Sequence, residues 1–409
     1  MRAILTRAFF VLCLVVPAIV TIGCGSSSPA QSTTTTTTTT TANVLPISVN
    51  VGPSSSLGPN SNYVDGAFTS VTVCVPGSTT LCQTIDGILV DTGSSGLRIL
   101  SSVLSVALPQ QIDGSSNAVA ECGVFEDGVT WGPVQTADVT MASEVARSLP
   151  IQIIGSANFS TIPADCSSQG VPEQDLANLG ANGLLGVGPS IQDCGADCVT
   201  SGPFSQGSYY TCPSSGCVDT TEALAQQVQN PVASFATDNN GVIVELPAVT
   251  GAEASVNGSL IFGIGTQTNN GLGSATVFGT DAFGDFTTAY NGTTYPSFLD
   301  SGSNAIYFLD TSTTGLPVCT DINFLYCPAT PQNFTVTNTG SNSATASLTF
   351  TVGNADFLIS NLNDAAVNGL AGPNTGQFDF GLPFFFGRNV YTAIVGKSTP
   401  GGTGPYMAY

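Results

Sequence analysis

Two short stretches of the chain carry an acid in the same setting. Leu89-Val90-Asp91-Thr92-Gly93-Ser94 and Phe298-Leu299-Asp300-Ser301-Gly302-Ser303 each run apolar residues into an aspartate, then a hydroxyl residue, a glycine and a serine. This is the pattern of a buried strand that delivers a carboxylate to a tight turn. The hydroxyls of Thr92, Ser94, Ser301 and Ser303 suit hydrogen bonds around the acids, and Gly93 and Gly302 let the turns close. One copy in a chain rich in Gly, Ser and Thr carries little weight, whereas two copies, one in each half, carry much more. Two carboxylates held close together cannot both ionise cheaply, so they share a proton. One can then take a proton from water while the other gives one to a carbonyl. That chemistry needs no metal, cofactor or histidine.

Composition agrees with such a self-sufficient pair. Among 409 residues there are 27 Asp and Glu, 6 Lys and Arg, and no His, for a net charge of -21. Every mechanism resting on a His base is excluded, and the commonest zinc ligand is missing. So acidic a chain repels nucleic-acid phosphates. Charged residues make up only 8%, against roughly 25% in an average soluble protein. Acidity of this kind serves solubility or suits an acidic habitat.

The elements that must position the acids read as β. Short segments rich in Val, Ile, Thr and Phe, separated by Gly, Asn, Asp, Ser and Pro, include 47–51, 68–75, 85–90, 242–246, 259–264, 347–352 and 391–395. One helix is expected, from Thr220 to Val228, with Glu222 in its first turn. The stretch from Ile191 to Asp219 holds four Cys with many Gly and Ser, and reads as a surface insertion pinned by disulfides. Each acid is also followed, further along, by an apolar run closed by glycine: Leu184-Leu185-Gly186 after Asp91 and Asp379-Phe380-Gly381 after Asp300. Either alone is an ordinary strand end. As a matched set they indicate two lobes built on one plan, 44–240 with Asp91 and 241–409 with Asp300.

Residues 1–23 read as an export signal, with Arg2 and Arg7 ahead of an apolar run that ends at Thr21-Ile22-Gly23-Cys24. A small residue before Cys24 resembles the lipidation box of bacterial lipoproteins. Residues 24–43, with a threonine run from Thr33 to Thr41, form a tether with nothing to build a core. The chain is therefore expected to be exported and lipid-anchored to the cell envelope, facing the periplasm or the cell surface, with secretion as the alternative. Ten cysteines remain in the exported part, an even number that favours disulfides. Neighbours suggest Cys74–Cys82, Cys194–Cys198, Cys212–Cys217 and Cys319–Cys327, leaving Cys122 with Cys166. Spacing alone does not fix that connectivity.

Taken together, the doubled motif and the paired apolar-Gly runs resemble the pepsin-like aspartic peptidases over most of 44–409. The resemblance implies an all-β, bilobal acid protease fold with the active site in the cleft between two related β-lobes. Asp91 and Asp300 match the catalytic pair, Thr92 and Ser301 the residues that lock the two loops, and Ser94 and Ser303 those that bond the outer carboxylate oxygens. The segments ending at Gly186 and Gly381 match strands that cross behind the loops, although Asp379 is an odd first member. Gly258 to Gly263 looks like the opening of the second lobe, and the cysteine-framed entry at Cys74 and Cys82 looks closer to a bacterial exported branch of that family.

Departures fall on the lid. Where the family carries a Tyr on a hairpin flap, counting back from Trp131 puts Phe125, with Gly128 at the later glycine, and Arg98 stands where the family usually has a Trp that bonds that Tyr. Joint replacement of two bonded partners can be nearly neutral. Arg98 reads as a solvated or carboxylate-paired cation, or as a cleft residue that would lower the acids' pKa values. Trp131 and Phe384-Phe385-Phe386 read as core. The implied function is an aspartic endopeptidase acting on polypeptide at acidic pH, as a monomer, without cofactor or metal, touching a membrane only through its lipidated N-terminus. The alternative is a lipoprotein of the same fold that binds peptides or proteins without turnover. A third reading takes the Asp91 turn as the phosphate loop of an actin-like sugar kinase, and export, disulfides and the β texture oppose it.

Overall fold

Apolar and polar residues alternate along most strands, and the computed structural model, which describes residues 42–53, 63–202 and 206–409, shows which face each side takes. In Thr345–Val352 and Gln332–Thr339 every second side chain is buried. The strand Cys82–Asp91 differs at its end, where Leu89, Val90 and Asp91 are all buried. A strand covered on both faces reads as a continuous apolar run, which explains the approach to the first acid.

The architecture is all-β. One sheet of fifteen strands begins with the hairpins of the first half and continues through Val44–Val49, also of the first half, to Val256–Phe262, Gly241–Leu246 and Arg388–Ala393 of the second. Val44–Val49 pairs along its whole length with Val256–Phe262, so the backbone ladder runs across the expected division at 240 and 241. A second sheet of seven strands lies wholly in the second half. The described α-helices are single turns of four residues, and none is long and apolar enough to cross a membrane.

The core changes character along the chain. In the first half it is aliphatic, with Val71, Val73, Ile88, Val90, Leu97, Ile99, Val139 and Ile151 buried together. In the second half it is aromatic: Phe308 meets Phe334, Phe350 and Phe378 at ring distances of 5.0, 5.1 and 5.5 Å. Phe384, Phe385 and Phe386 are buried in the same cluster. Trp131 is buried too, its indole N–H donating to the Phe159 carbonyl at 2.8 Å.

Two expectations are corrected. Thr220–Val228 is not a helix: Val218–Thr220 is a strand and only Leu224–Gln226 forms a turn of 3-10 helix. Side-chain bonds outcompete the helix ladder, because the Gln227 amide donates to the carbonyls of Gly195 and Glu222 and the Val228 N–H donates to the Tyr209 hydroxyl. The stretch 191–219 is likewise not merely a surface insertion. Its strand Tyr209–Cys212 joins the large sheet beside Ala118–Val124, and Tyr209 and Tyr210 are buried.

Among the described residues there are five disulfides: Cys74–Cys82, Cys122–Cys166, Cys194–Cys198, Cys212–Cys217 and Cys319–Cys327. Bridges in this number mark an extracellular or periplasmic protein. Four of them pin local turns, while Cys122–Cys166 ties the strand Ala118–Val124 to the short helix Ala164–Ser167. The expected export signal, Cys24 and nearly all of the expected tether lie outside the described residues.

Candidate active site

The two acids are delivered by matching pieces of structure. Cys82–Asp91 ends at Asp91, and Gly183–Val187 runs parallel to it before pairing antiparallel with Ser95–Leu100. Thr293–Leu299 ends just before Asp300, and Asn374–Phe380 lies between it and Ile306–Leu309 in the same way. Each loop is thus clasped by a strand crossing behind it. The glycines that end the crossings permit the approach. A methyl group on Gly186 would lie 2.7 Å from the Ser95 carbonyl carbon, and one on Gly381 would lie 2.1 Å from the Ala305 carbonyl oxygen.

The loops lock to each other through their hydroxyl residues. The Ser301 N–H donates to Thr92 Oγ1 at 2.9 Å, and the Thr92 N–H donates to Ser301 Oγ at 3.1 Å. Each hydroxyl then donates to a carbonyl of the opposite strand, Thr92 to Leu299 at 3.2 Å and Ser301 to Val90 at 2.8 Å. All four bonds are buried, so they act as cross-links between the halves.

That lock sets the carboxylates face to face. Asp91 Oδ1 accepts from the Gly93 and Ser94 amides at 2.8 and 3.2 Å, and Asp91 Oδ2 accepts from the Ser94 hydroxyl. Asp300 repeats the arrangement, with the Gly302 amide at 2.8 Å on Oδ1 and the Ser303 hydroxyl at 2.7 Å on Oδ2. The intervening space is small: a methyl group on Gly302 would sit 2.9 Å from Asp91 Oδ1 and 3.1 Å from Asp300 Oδ1. Burial, and then the charge of Asp300, push the Asp91 carboxyl up to about 8, against the hydrogen bonds from Ser94 and Gly93 that favour its ionised form. Asp91 therefore holds on to its proton well above the usual carboxylate range.

A family model described as "Protein of unknown function (DUF3443)" matches residues 39–409. The chain belongs to the DUF3443 family. An aspartic proteinase from Irpex lacteus has a similar solved structure, with a TM-score of 0.53 and 15% sequence identity over 89% of this chain and 96% of that one. At that identity the likeness speaks to the fold, which is pepsin-like and bilobal. No curated protein matches the chain.

In this DUF3443 chain Phe125 and Gly128 stand at the tip of the hairpin between Ala118–Val124 and Val129–Met141, closed by a Phe125 N–H bond to the Gly128 carbonyl at 2.8 Å. Arg98 and Phe125 are in contact, the guanidinium carbon lying 5.4 Å from the ring centroid. A cation over a ring thus ties the strand Ser95–Leu100 to the hairpin tip. Arg98 is buried, donates to the Ser95 carbonyl, and pairs with Glu121 and with Asp193 at 3.2 Å. The main influences on Asp91 are its burial, Asp300, Ser94 and Gly93, and Arg98 is not one of them. Its charge is spent on the hairpin strand and on the 191–219 stretch rather than on the dyad.

Tyr63 and Tyr307 were not marked by any motif, and Asp379 was marked only as the odd first member of its crossing segment. Tyr63, whose ring packs edge-on against Phe68 at 5.2 Å, feels the charges of Asp127, Asp300 and Asp91, which together with burial push its phenol up. No local pattern announces it. Tyr307 donates to Asn304 at 2.7 Å and faces Asp379 and Asp127. Asp379 itself is buried in the crossing strand with Oδ1 lacking a hydrogen-bond partner. Its only sequence signal is that it stands where the first half has Leu184.

Proposed function

We propose that this chain is an aspartic endopeptidase in which Asp91 and Asp300 activate a water molecule. The observation that carries the reading is the reciprocal lock of Thr92 and Ser301, which holds the two carboxylates facing one another with their outer oxygens bonded to Ser94 and Ser303. With one proton shared, the ionised carboxylate takes a proton from a water held between the acids. The protonated carboxylate donates to the scissile carbonyl, and a tetrahedral diol forms without a covalent enzyme intermediate. No step needs an external base or a metal.

The same proposal places the protein outside the cytoplasm, held at a membrane through Cys24, working as a monomer on polypeptide, with lobes at 44–240 and 241–409. The alternative is a binding protein on the same fold without turnover. It is favoured by the hairpin tip, where Phe125 brings no hydroxyl over the dyad.

The deciding experiment digests a proteome-derived peptide library with residues 44–409 between pH 3 and 8, alongside Asp91→Asn and Asp300→Asn. The peptidase reading expects cleavage that a statine-type inhibitor blocks and that both variants abolish. Cleavage surviving in both variants overturns it, and tight peptide binding with no cleavage favours the alternative.

A further inference from the structure

We propose that Asp379 forms, beside Asp300 and opposite the hairpin tip, a subsite for a basic side chain of the bound polypeptide, either a lysine ammonium or an arginine guanidinium. This deepens the peptidase reading of the same cleft and rests on it.

Strand alternation sets the geometry. Phe378 and Phe380 flank Asp379 and both enter the aromatic core, so Asp379 must project from the opposite face of Asn374–Phe380. Its register neighbours are Phe298 and Tyr307. In the first half the matching crossing position is Leu184, paired with Leu89. An apolar residue thus fills that position in the first half, whereas a carboxyl stands at the second position at a cost in desolvation.

The side chain is 6% exposed and its Oδ1 has no hydrogen-bond partner. A buried acceptor left open is the mark of a missing donor. The groups whose charge or polarity it feels are Asp300 and Asp91 from the two loops, the Ser303 hydroxyl and Glu126 from the hairpin tip, and Tyr307 is its register neighbour on the adjoining strand. None is a cation.

Nor does the described chain have a cation to spare. Arg98 is held by Glu121 and Asp193, Arg147 by Asp138, Arg388 by the carbonyls of Phe384 and Phe386, and Lys397 by the Ala233 carbonyl. The complementary charge must arrive with the ligand. A divalent metal fits poorly, because Asp379 and its acidic neighbours do not converge within 4.8 Å as three ligands must. A single ammonium or guanidinium on a flexible stem fits the one open oxygen. Burial and the neighbouring acids hold the Asp379 carboxyl well above its usual range, so the preference for a cation should strengthen as pH rises.

The test uses peptide pairs identical except for lysine or norleucine at one position, scanned across eight positions. Binding by fluorescence anisotropy and cleavage are both measured at pH 4 and pH 6.5. At one position the lysine peptide is expected to bind about tenfold more tightly at pH 6.5, with a smaller advantage at pH 4. Asp379→Asn should erase that advantage, and Asp379→Leu should reverse it toward norleucine. Equal binding of every pair to the wild type overturns the subsite, as does a lysine preference that persists in both variants. Absence of cleavage with the lysine preference intact upholds the subsite and overturns the peptidase reading instead.

Discussion

Ser301 and Thr92 hold each other: each backbone N–H donates to the other's hydroxyl oxygen, at 2.9 and 3.1 Å, although 209 residues separate them. The two acids follow this clasp, since each is the residue before its member. Ser301→Ala removes the acceptor of the Thr92 N–H and the donor to the Val90 carbonyl, both buried. Leaving two buried groups unpaired should cost about 2–5 kcal/mol, whereas Thr92→Ser, which keeps the hydroxyl, should cost well under half of that. Denaturant unfolding of both variants checks the difference. Equal losses would mean that the hydroxyls are incidental to the lock.

Gly302→Ala tests the space between the acids rather than the lock. Its new methyl would lie 2.9 Å from Asp91 Cγ and 3.1 Å from Asp300 Oδ1, in the space that the proposed mechanism gives to its water. We expect kcat/KM to fall at least about a hundredfold, because a displacement of an ångström at the reacting groups is enough for that. Stability should change much less, because Gly302 is only half-buried at the cleft surface. A variant that unfolds but, when folded, cleaves normally would refute this placement.

Arg98 is expected to matter for stability and for the hairpin, not for the titration of the dyad. Removing it leaves Glu121 buried without its cation and Asp193 half-served by the Tyr209 hydroxyl at 2.7 Å. Breaking a buried pair from one side costs about 3–5 kcal/mol, so Arg98→Met should be severe and the double variant with Glu121→Gln milder. The pH profile of kcat/KM should keep its shape in whatever fraction folds. A profile shifted along the pH axis would return Arg98 to the cleft.

How much of this could be read from the residues depends on how local each signal is. Asp91 and Asp300, their hydroxyl partners and the crossings at Gly186 and Gly381 are short contiguous motifs, and repetition in two halves raised them above chance. Most strands were legible too, because a half-buried sheet writes its period into the sequence. Thr220–Val228 misled because Gln227 and Val228 satisfy their polar groups on Gly195, Glu222 and Tyr209, partners that no local window contains. Tyr63 was invisible for the same reason, since its packing against Phe68 is set only by the fold. Asp379 was visible as an oddity, but its meaning depends on the absence of any facing cation, which is a property of the assembled cleft.

Acid-loving stability is the last expectation, and its sign follows from which way the buried carboxyls shift. Asp91 is raised from an ordinary 3.8 to about 8, chiefly by burial and then by Asp300. Burial also raises Asp65, whose Oδ1 accepts from the Val367 N–H at 2.7 Å while Oδ2 has no partner, and it raises Asp379. An acid with a raised folded pKa binds more protons folded than unfolded between the two values. Its full contribution is therefore present below the unfolded pKa and is lost as pH rises toward the folded one. Each such group removes up to about 1.4 kcal/mol per pH unit within that window. Asp113, lowered to about 2 by the Thr211 and Asn117 hydrogen bonds, and Asp310, lowered by Ser312 and Thr313, act in the opposite sense, but they are exposed and act only below pH 4. The melting temperature should accordingly be highest near pH 4 and fall steadily to pH 8. Asp65→Asn, which keeps the acceptor for Val367 and cannot ionise, should flatten that fall by the share of one group. Calorimetry across pH 4–8 on both proteins measures it, and a melting temperature that rises with pH in the wild type would show that these carboxyls are ionised in the folded state.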